Sequence, residues 1–175
     1  EVCPHDDPCD ALALVVDGDA NTVTTIGCTL DDLANIPISA QTEISSWVSF
    51  VAPASGCIDI DFNFTVGVHP IFDTDSALAL YQADGATCDS FPFQELAFNN
   101  DFDGLDPRIV IDTTSAILLS EGTTYYVMIG GMFGDEVTGN LRITDPCKLT
   151  PSNSASLPPT HAPTTICPHD DPCDA

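Results

Sequence analysis

The chain has 175 residues, 3 basic against 27 acidic side chains, and a formal net charge of −24. So few cations cannot neutralise a phosphate backbone or sit on an anionic lipid surface, which argues against nucleic acid and against membrane adsorption. The hydrophobic share of 43% is too high for simple disorder, and no apolar run approaches the roughly 18 residues of a membrane span, so no membrane insertion is expected.

The chain opens at Glu1 without a basic and apolar leader, so it is expected to be a processed or excerpted piece whose secretion signal has gone. The first motif is Cys3-Pro-His-Asp-Asp-Pro-Cys9, where flanking prolines read as a rigid turn. Its thiolates and His5 could serve zinc, but no second Cys/His pair completes a tetrahedral set. The remaining cysteines are scattered at Cys28, Cys57, Cys88, Cys147, Cys167 and Cys173. That pattern favours disulfides in an oxidising, extracellular setting, secreted or at a cell surface. Six cysteines within one unit allow three bridges, with Cys9–Cys28 and Cys57–Cys88 expected between neighbouring loops. Cys147 is then expected to join Cys3 or Cys167. Asp17-Gly-Asp19-Ala-Asn21 places oxygen ligands at alternate positions, a weak calcium candidate.

Short strands follow. Trp47, Val48, Phe50 and Val51 form one, closed by the turn at Pro53-Ala-Ser-Gly56. Ile58, Ile60, Phe62, Phe64 and Val66 alternate with Asp59, Asp61, Asn63 and Thr65, a period of two with one buried face. That alternation turns Asn63 outward, and Asn63-Phe-Thr65 is an N-glycosylation sequon. Further strands are expected at Ala77–Tyr81, Arg108–Ile111, Ile117–Leu119, Thr123–Ile129 and Asn140–Thr144, punctuated by glycines. Between them lies Asn99-Asn-Asp-Phe-Asp-Gly-Leu-Asp106. Calcium takes six to eight oxygens, and short carboxylates on a turning loop supply them. Asp73, Asp75, Asn99, Asp101, Asp103 and Asp106 are therefore the candidate ligands and calcium the candidate cofactor. The plainer role of such residues is turn formation and a solvated surface. Arg108 and Arg142 are expected to pair with nearby Asp.

No segment holds a helical period, so the expected fold is all-β: a jelly-roll-like antiparallel β-sandwich with an extended Pro/Ser/Thr-rich C-terminal linker. The linker, Thr150 to Thr165, cannot pack a core of its own. It reads as a polyproline-like spacer of about 50 Å that docks on a neighbouring unit, for example by adding a strand to a sheet edge. Its Ser152, Ser154, Ser156, Thr160, Thr164 and Thr165 are candidate O-glycan sites.

The sequence then repeats itself. Residues 2–11 read VCPHDDPCDA and residues 166–175 read ICPHDDPCDA, nine of ten identical at an offset of 164. A domain-sized period predicts beads on a string. The organisation is a unit over 1–147, a linker over 148–164 and the start of the next repeat over 165–175.

The order of WVSFVAPASGCIDIDF (47–62), FDTDSALALY (72–81), NND (99–101), RIVI (108–111), EGTTYYVMIGG (121–131) and TGNLRIT (138–144) resembles the pre-peptidase C-terminal domain family over roughly residues 8–145. The Gly122-Thr-Thr-Tyr-Tyr-Val127 piece is its most specific part, and DPCDALAL (7–14) with Gly27-Cys28 is similar to Cys-containing members. The resemblance implies a β-sandwich accessory module of secreted proteins that binds, spaces or stabilises. Catalysis finds no support. The histidines are His5, His69, His161 and His169, and no nucleophile elbow, zinc-protease motif or phosphate loop is present.

The expected function is a structural repeat of an extracellular filament, sheath or surface appendage, self-associating through linker and cap, with copies of itself as partners. The alternative is a cell-surface adhesin or carbohydrate-binding module. There Tyr81, Phe91, Phe93, Phe102 and Phe133 would stack on sugars, glycans being the partner.

Overall fold

The computed structural model describes residues 3–29, 42–67, 75–83, 88, 92–100, 106–132 and 134–148. These form nine strands: β1 (Leu12–Ala13), β2 (Asn21–Thr24), β3 (Thr42–Val51), β4 (Ile58–Gly67), β5 (Ser76–Ala83), β6 (Phe93–Asn99), β7 (Arg108–Ile111), β8 (Thr124–Met132) and β9 (Val137–Thr144). They make a five-stranded sheet in the order β1-β3-β8-β5-β6 and a four-stranded sheet in the order β2-β9-β4-β7. Except at β5–β6, each successive strand lies in the opposite sheet, so hydrogen-bonded neighbours are mostly non-consecutive, as in a jelly roll. All ladders are antiparallel except the short β1–β3 pairing, which is parallel, with Leu12 opposite Val48.

The sandwich interior is built by period-two patterning. Ile58, Ile60 and Phe62 of β4, Ile109 and Ile111 of β7, and Leu141 and Ile143 of β9 face Val48, Phe50, Leu78, Leu80, Val127 and Ile129 of the other sheet. Gly139 lies on the inward face of β9 because nothing larger fits. A Cβ there would meet the Phe62 ring at 2.6 Å and the Asn63 carbonyl at 2.7 Å. Tyr125 is buried against Phe50, with ring centroids 6.0 Å apart. Its hydroxyl accepts the Ser120 N–H at 2.9 Å, which fixes the corner leading into β8.

The segment expected as a strand over 117–119 is instead a loop. Leu119 is buried and its N–H donates to the Gly56 carbonyl at 2.9 Å, while Ile117 and Leu118 are exposed. The apolar triplet reads like a strand, but it makes a single anchor onto the turn before β4. β1, β2 and β6 were absent from the sequence expectation. β2 has only one buried residue, Val23, and β6 mixes Phe93 with half-exposed neighbours, so neither carries a clear alternation.

The outer faces of the two sheets differ in kind. On the four-stranded sheet that face is polar: Asp59, Asp61, Asn63, Asn140 and Arg142 point away from the core. Asp61 stands in register with Arg108 on one side and Arg142 on the other, and Arg108 grips Asp59 with Nε–Oδ1 2.8 Å and Nη2–Oδ2 2.5 Å. The expected arginine–aspartate pairing thus holds for Arg108. On the five-stranded sheet the outer face is apolar. Trp47, Ala77, Ala79, Tyr81, Phe93, Tyr126 and Met128 form a second buried cluster there. This is why β5 reads Ala-Leu-Ala-Leu-Tyr with no alternation: a strand covered on both faces is apolar at every position.

Candidate functional site: a cap pinned over the second cluster

The cover on that outer face begins with the N-terminal motif. Asp7 caps a one-turn 3-10 helix, Pro8–Asp10, its carboxylate accepting the Cys9 N–H at 3.0 Å. Pro8 suits the first helical position, where its missing N–H costs nothing. His5 Nδ1 donates to the Asp10 carbonyl at 2.7 Å, closing the turn from the other side. The Trp47 N–H donates to the His5 carbonyl at 2.9 Å, laying the turn along β3. Ala11 and Cys88 pack against the Trp47 cluster. Beneath them the aromatic rings interlock, Trp47 on Tyr81 at 5.5 Å and Phe93 edge-on to Tyr126 at 5.3 Å.

Two disulfides fix the cap, Cys3–Cys28 and Cys9–Cys88. Asp6 adds a third tie: its two carboxylate oxygens accept the Thr29 N–H at 2.6 Å and the Thr29 hydroxyl at 2.8 Å. The third bridge, Cys57–Cys147, lies at the exit of the unit. The pairings expected from sequence, Cys9–Cys28 and Cys57–Cys88 with Cys147 joined to Cys3 or Cys167, are therefore corrected. Neighbouring-loop reasoning could not see that the cap folds back across a sheet. That placement brings Cys9 to Cys88, 79 residues away in sequence. The zinc alternative at Cys3, His5 and Cys9 fails as well, since both sulfurs lie in disulfides and no thiolate remains to bind metal.

The exit is latched by polar groups. Asp17, in the left-handed region at φ 62°, holds the Asp145 N–H at 3.0 Å with Oδ1 and Lys148 Nζ at 2.6 Å with Oδ2. The Asp145 amide and then the Lys148 ammonium hold its carboxyl below the usual aspartate range. Lys148 is pushed up in turn by its hydrogen bond to Asp17. Asp145 Oδ1 also accepts from Ser55 at 2.8 Å and from the Cys147 N–H at 2.9 Å. The Asp17-Gly-Asp19 loop, weighed as a calcium candidate, thus directs both Asp17 oxygens to the chain's own groups.

Of the main calcium candidates, Asp75, Asn99 and Asp106 are described, and Asp73, Asp101 and Asp103 lie outside the described residues. The β5–β6 register, with Leu78 opposite Asn99, brings Asp75 and Asn99 to one end of the sheet. The Asn99 Oδ1 accepts the Arg108 N–H at 3.2 Å. Among the described residues, two groupings have metal-ligand spacing: Asp6 with Cys3 and Cys28, and Asp145 with Cys57 and Cys147. Each contains a disulfide, which removes the thiolates a soft metal would need. Asn63 is exposed on the outer face of the four-stranded sheet, where the alternation put it. Tyr81 and Phe93 are buried in the second cluster, so neither presents a face to a sugar; Phe91, Phe102 and Phe133 lie outside the described residues. A cleft of about 280 Å³ is lined by Gln82, Ala83, Pro92, Phe93 and Gln94. Burial first, and Glu95 second, hold the Tyr81 phenol well above its ordinary range. His69, His161 and His169, Cys167 and Cys173, and the linker serines and threonines lie outside the described residues. Sequence reasoning missed Thr29 and Lys148. Each acts through a partner more than 20 residues distant, and neither belongs to a motif.

No family model and no curated protein matches the chain. Among solved structures it is similar to the pre-peptidase C-terminal domain of collagenase from Bacillus anthracis, at 10% identity over 76% of this chain and 93% of that one, with a TM-score of 0.43. That collagenase domain bears the name of the family that the sequence resembles. The sandwich described above stands on its own strand order and register.

Proposed function

We propose that the chain is a structural repeat of an extracellular filament, sheath or surface appendage. Its units associate through the cap and the linker and are hardened by disulfides. The single observation behind this reading is the duplication: the decapeptide that recurs at 166–175 corresponds to the segment that forms the cap. A segment duplicated beyond a proline-rich spacer is a sign of unit following unit.

The physical features of the unit agree with that role. Three disulfides, two of them spanning 79 and 90 residues, suit an oxidising compartment and a unit that must stay folded outside the cell. Among the described residues no helix is long and apolar enough to cross a membrane. The strongly negative net charge keeps neighbouring assemblies apart. Calcium bound near Asp75, Asn99 and Asp106, glycans on Asn63 and on the linker, and strand addition at a sheet edge are further parts of the proposal. The unit carries no catalytic role in this reading.

Electron microscopy of the natural material, before and after treatment with reductant plus chelator, tests it. Fibres that loosen under both agents are expected. A gene product with one unit, monomeric in solution, would overturn the reading. Selective binding in a glycan screen of a single unit, without assembly, would favour the adhesin alternative.

A further inference from the structure

The chain carries two cysteines more than its first unit uses. Of eight in the chain, Cys3, Cys9, Cys28, Cys57, Cys88 and Cys147 close three bridges with one another. Cys167 and Cys173 remain, and they stand where Cys3 and Cys9 stand in the first copy of the motif. The residues that build and anchor the cap recur with them: His169 for His5, Asp170 for Asp6, Asp171 for Asp7, Pro172 for Pro8 and Asp174 for Asp10. The copy therefore holds every side chain that closes the turn, grips Thr29 and bonds Cys28 and Cys88. In this unit those partners are already occupied by residues 3–10.

We propose that residues 166–175 form the cap of a second unit, with Cys167 bonded to that unit's Cys28 and Cys173 to its Cys88. This deepens the repeat reading by naming the partner surface: the apolar outer face of the next unit's five-stranded sheet, around Trp47, Tyr81 and Phe93. The linker's extended reach of about 50 Å allows the segment to arrive on a neighbouring body. The consequence is mechanical. Each linker ends in a turn bonded at two points to the sandwich that follows, so tension along the chain enters that sandwich through disulfides.

Each bond forms by two exchanges. A cysteine thiolate attacks oxidised glutathione and expels one glutathione thiolate. The partner cysteine then attacks the mixed disulfide and expels the second. Two protons and two electrons leave with two reduced glutathione molecules.

The test uses the full 175-residue chain, as wild type and as Cys9→Ser, folded in a glutathione buffer as a mixture of isotopically labelled and unlabelled chains. Cys9→Ser keeps Cys3–Cys28 and leaves Cys88 open. In the wild type, Cys167 and Cys173 are expected to react with thiol reagents or to carry glutathione. In Cys9→Ser, peptide mapping is expected to find Cys88 joined to Cys173 of another chain, with loss of the Cys173 free-thiol signal and of the monomer on non-reducing gels. The variant Cys3→Ser/Cys9→Ser should add Cys28–Cys167. Cys167 bonded to Cys173 within one chain, or Cys88 left free or joined indiscriminately, would overturn the proposal. The two readings separate cleanly: fibres from native material without these bonds would spare the repeat reading and sink the bonded cap.

Discussion

Replacing Cys9 and Cys88 by Ser tests the cap directly. The bridge closes a sequence separation of 79 residues. Passing through the Cys3–Cys28 bond shortens the loop only to roughly 66, for which the chain-entropy relation gives about 4.4 kcal/mol at 25 °C. Measured values for such bridges run about 2–4 kcal/mol, so a loss of about 3–4 kcal/mol is expected. For a body of this size that lowers Tm by roughly 6–16 °C.

The chain holds one tryptophan, Trp47, and it is fully buried beside the cap. Its fluorescence therefore reports on the cover. Well below the transition, Cys9→Ser/Cys88→Ser should make Trp47 more accessible to acrylamide, because Pro8–Asp10 loses its covalent tie to the sheet. The control is Cys57→Ser/Cys147→Ser. That bridge spans 90 residues and has a similar entropic value, about 4.6 kcal/mol, yet it lies at the unit's exit. It should lower Tm comparably and leave the quenching of folded protein unchanged. Equal quenching in the two variants, or an unchanged Tm for Cys9→Ser/Cys88→Ser, would show that the bridge does not hold a cover over the cluster.

Three further outcomes follow from the geometry. Gly139→Ala should destabilise by about 2–3 kcal/mol in urea unfolding, since its Cβ meets the Asn63 carbonyl as well as a ring and a backbone atom cannot step aside. The exit latch should persist in mild acid. Asp17's folded pKa is depressed, so its contribution is full above the ordinary aspartate value and is lost as pH falls through the lower folded value; loss of Asp145 amide protection, relative to its intrinsic exchange rate, already at or above the ordinary value would contradict this. Asp59→Asn should cost about 1 kcal/mol, less in high salt, because the Arg108 side chain is 37% exposed and water screens the pair; an unchanged urea midpoint at low salt would refute it.

Much of the sandwich was legible because one face of each strand is wet. Ile58 to Asn63 alternates cleanly, and the structure buries Ile58, Ile60 and Phe62 while exposing Asp61 and Asn63. Where both faces are covered, alternation disappears. Ala77 to Tyr81 could be recognised as a strand, but its unbroken apolar run also signalled a third layer, a cue that went unread. Ile117-Leu118-Leu119 shows the opposite failure. Three consecutive apolar residues look like a strand, yet two are exposed and one is an anchor, a distinction set by the Gly56 turn across the fold.

The disulfides mark the same boundary between local and distant information. Six cysteines up to Cys147 were compatible with three bridges, and three are formed, but pairing by proximity in sequence assumes that the chain meanders. Here the cap returns across β3, so Cys3 reaches Cys28 beside Thr29, and Cys9 reaches Cys88 beyond β5. The apolar surface under it explains why it must return. An uncovered Trp47, Tyr81, Phe93, Tyr126 and Met128 would leave a contiguous hydrophobic patch on a chain with 27 acids and no other means of hiding it among the described residues. The pattern of charge and the pattern of cysteines thus have one cause. The four-stranded sheet meets water with carboxylates, the five-stranded sheet meets a cap, and the cap is too short to stay in place without covalent bonds.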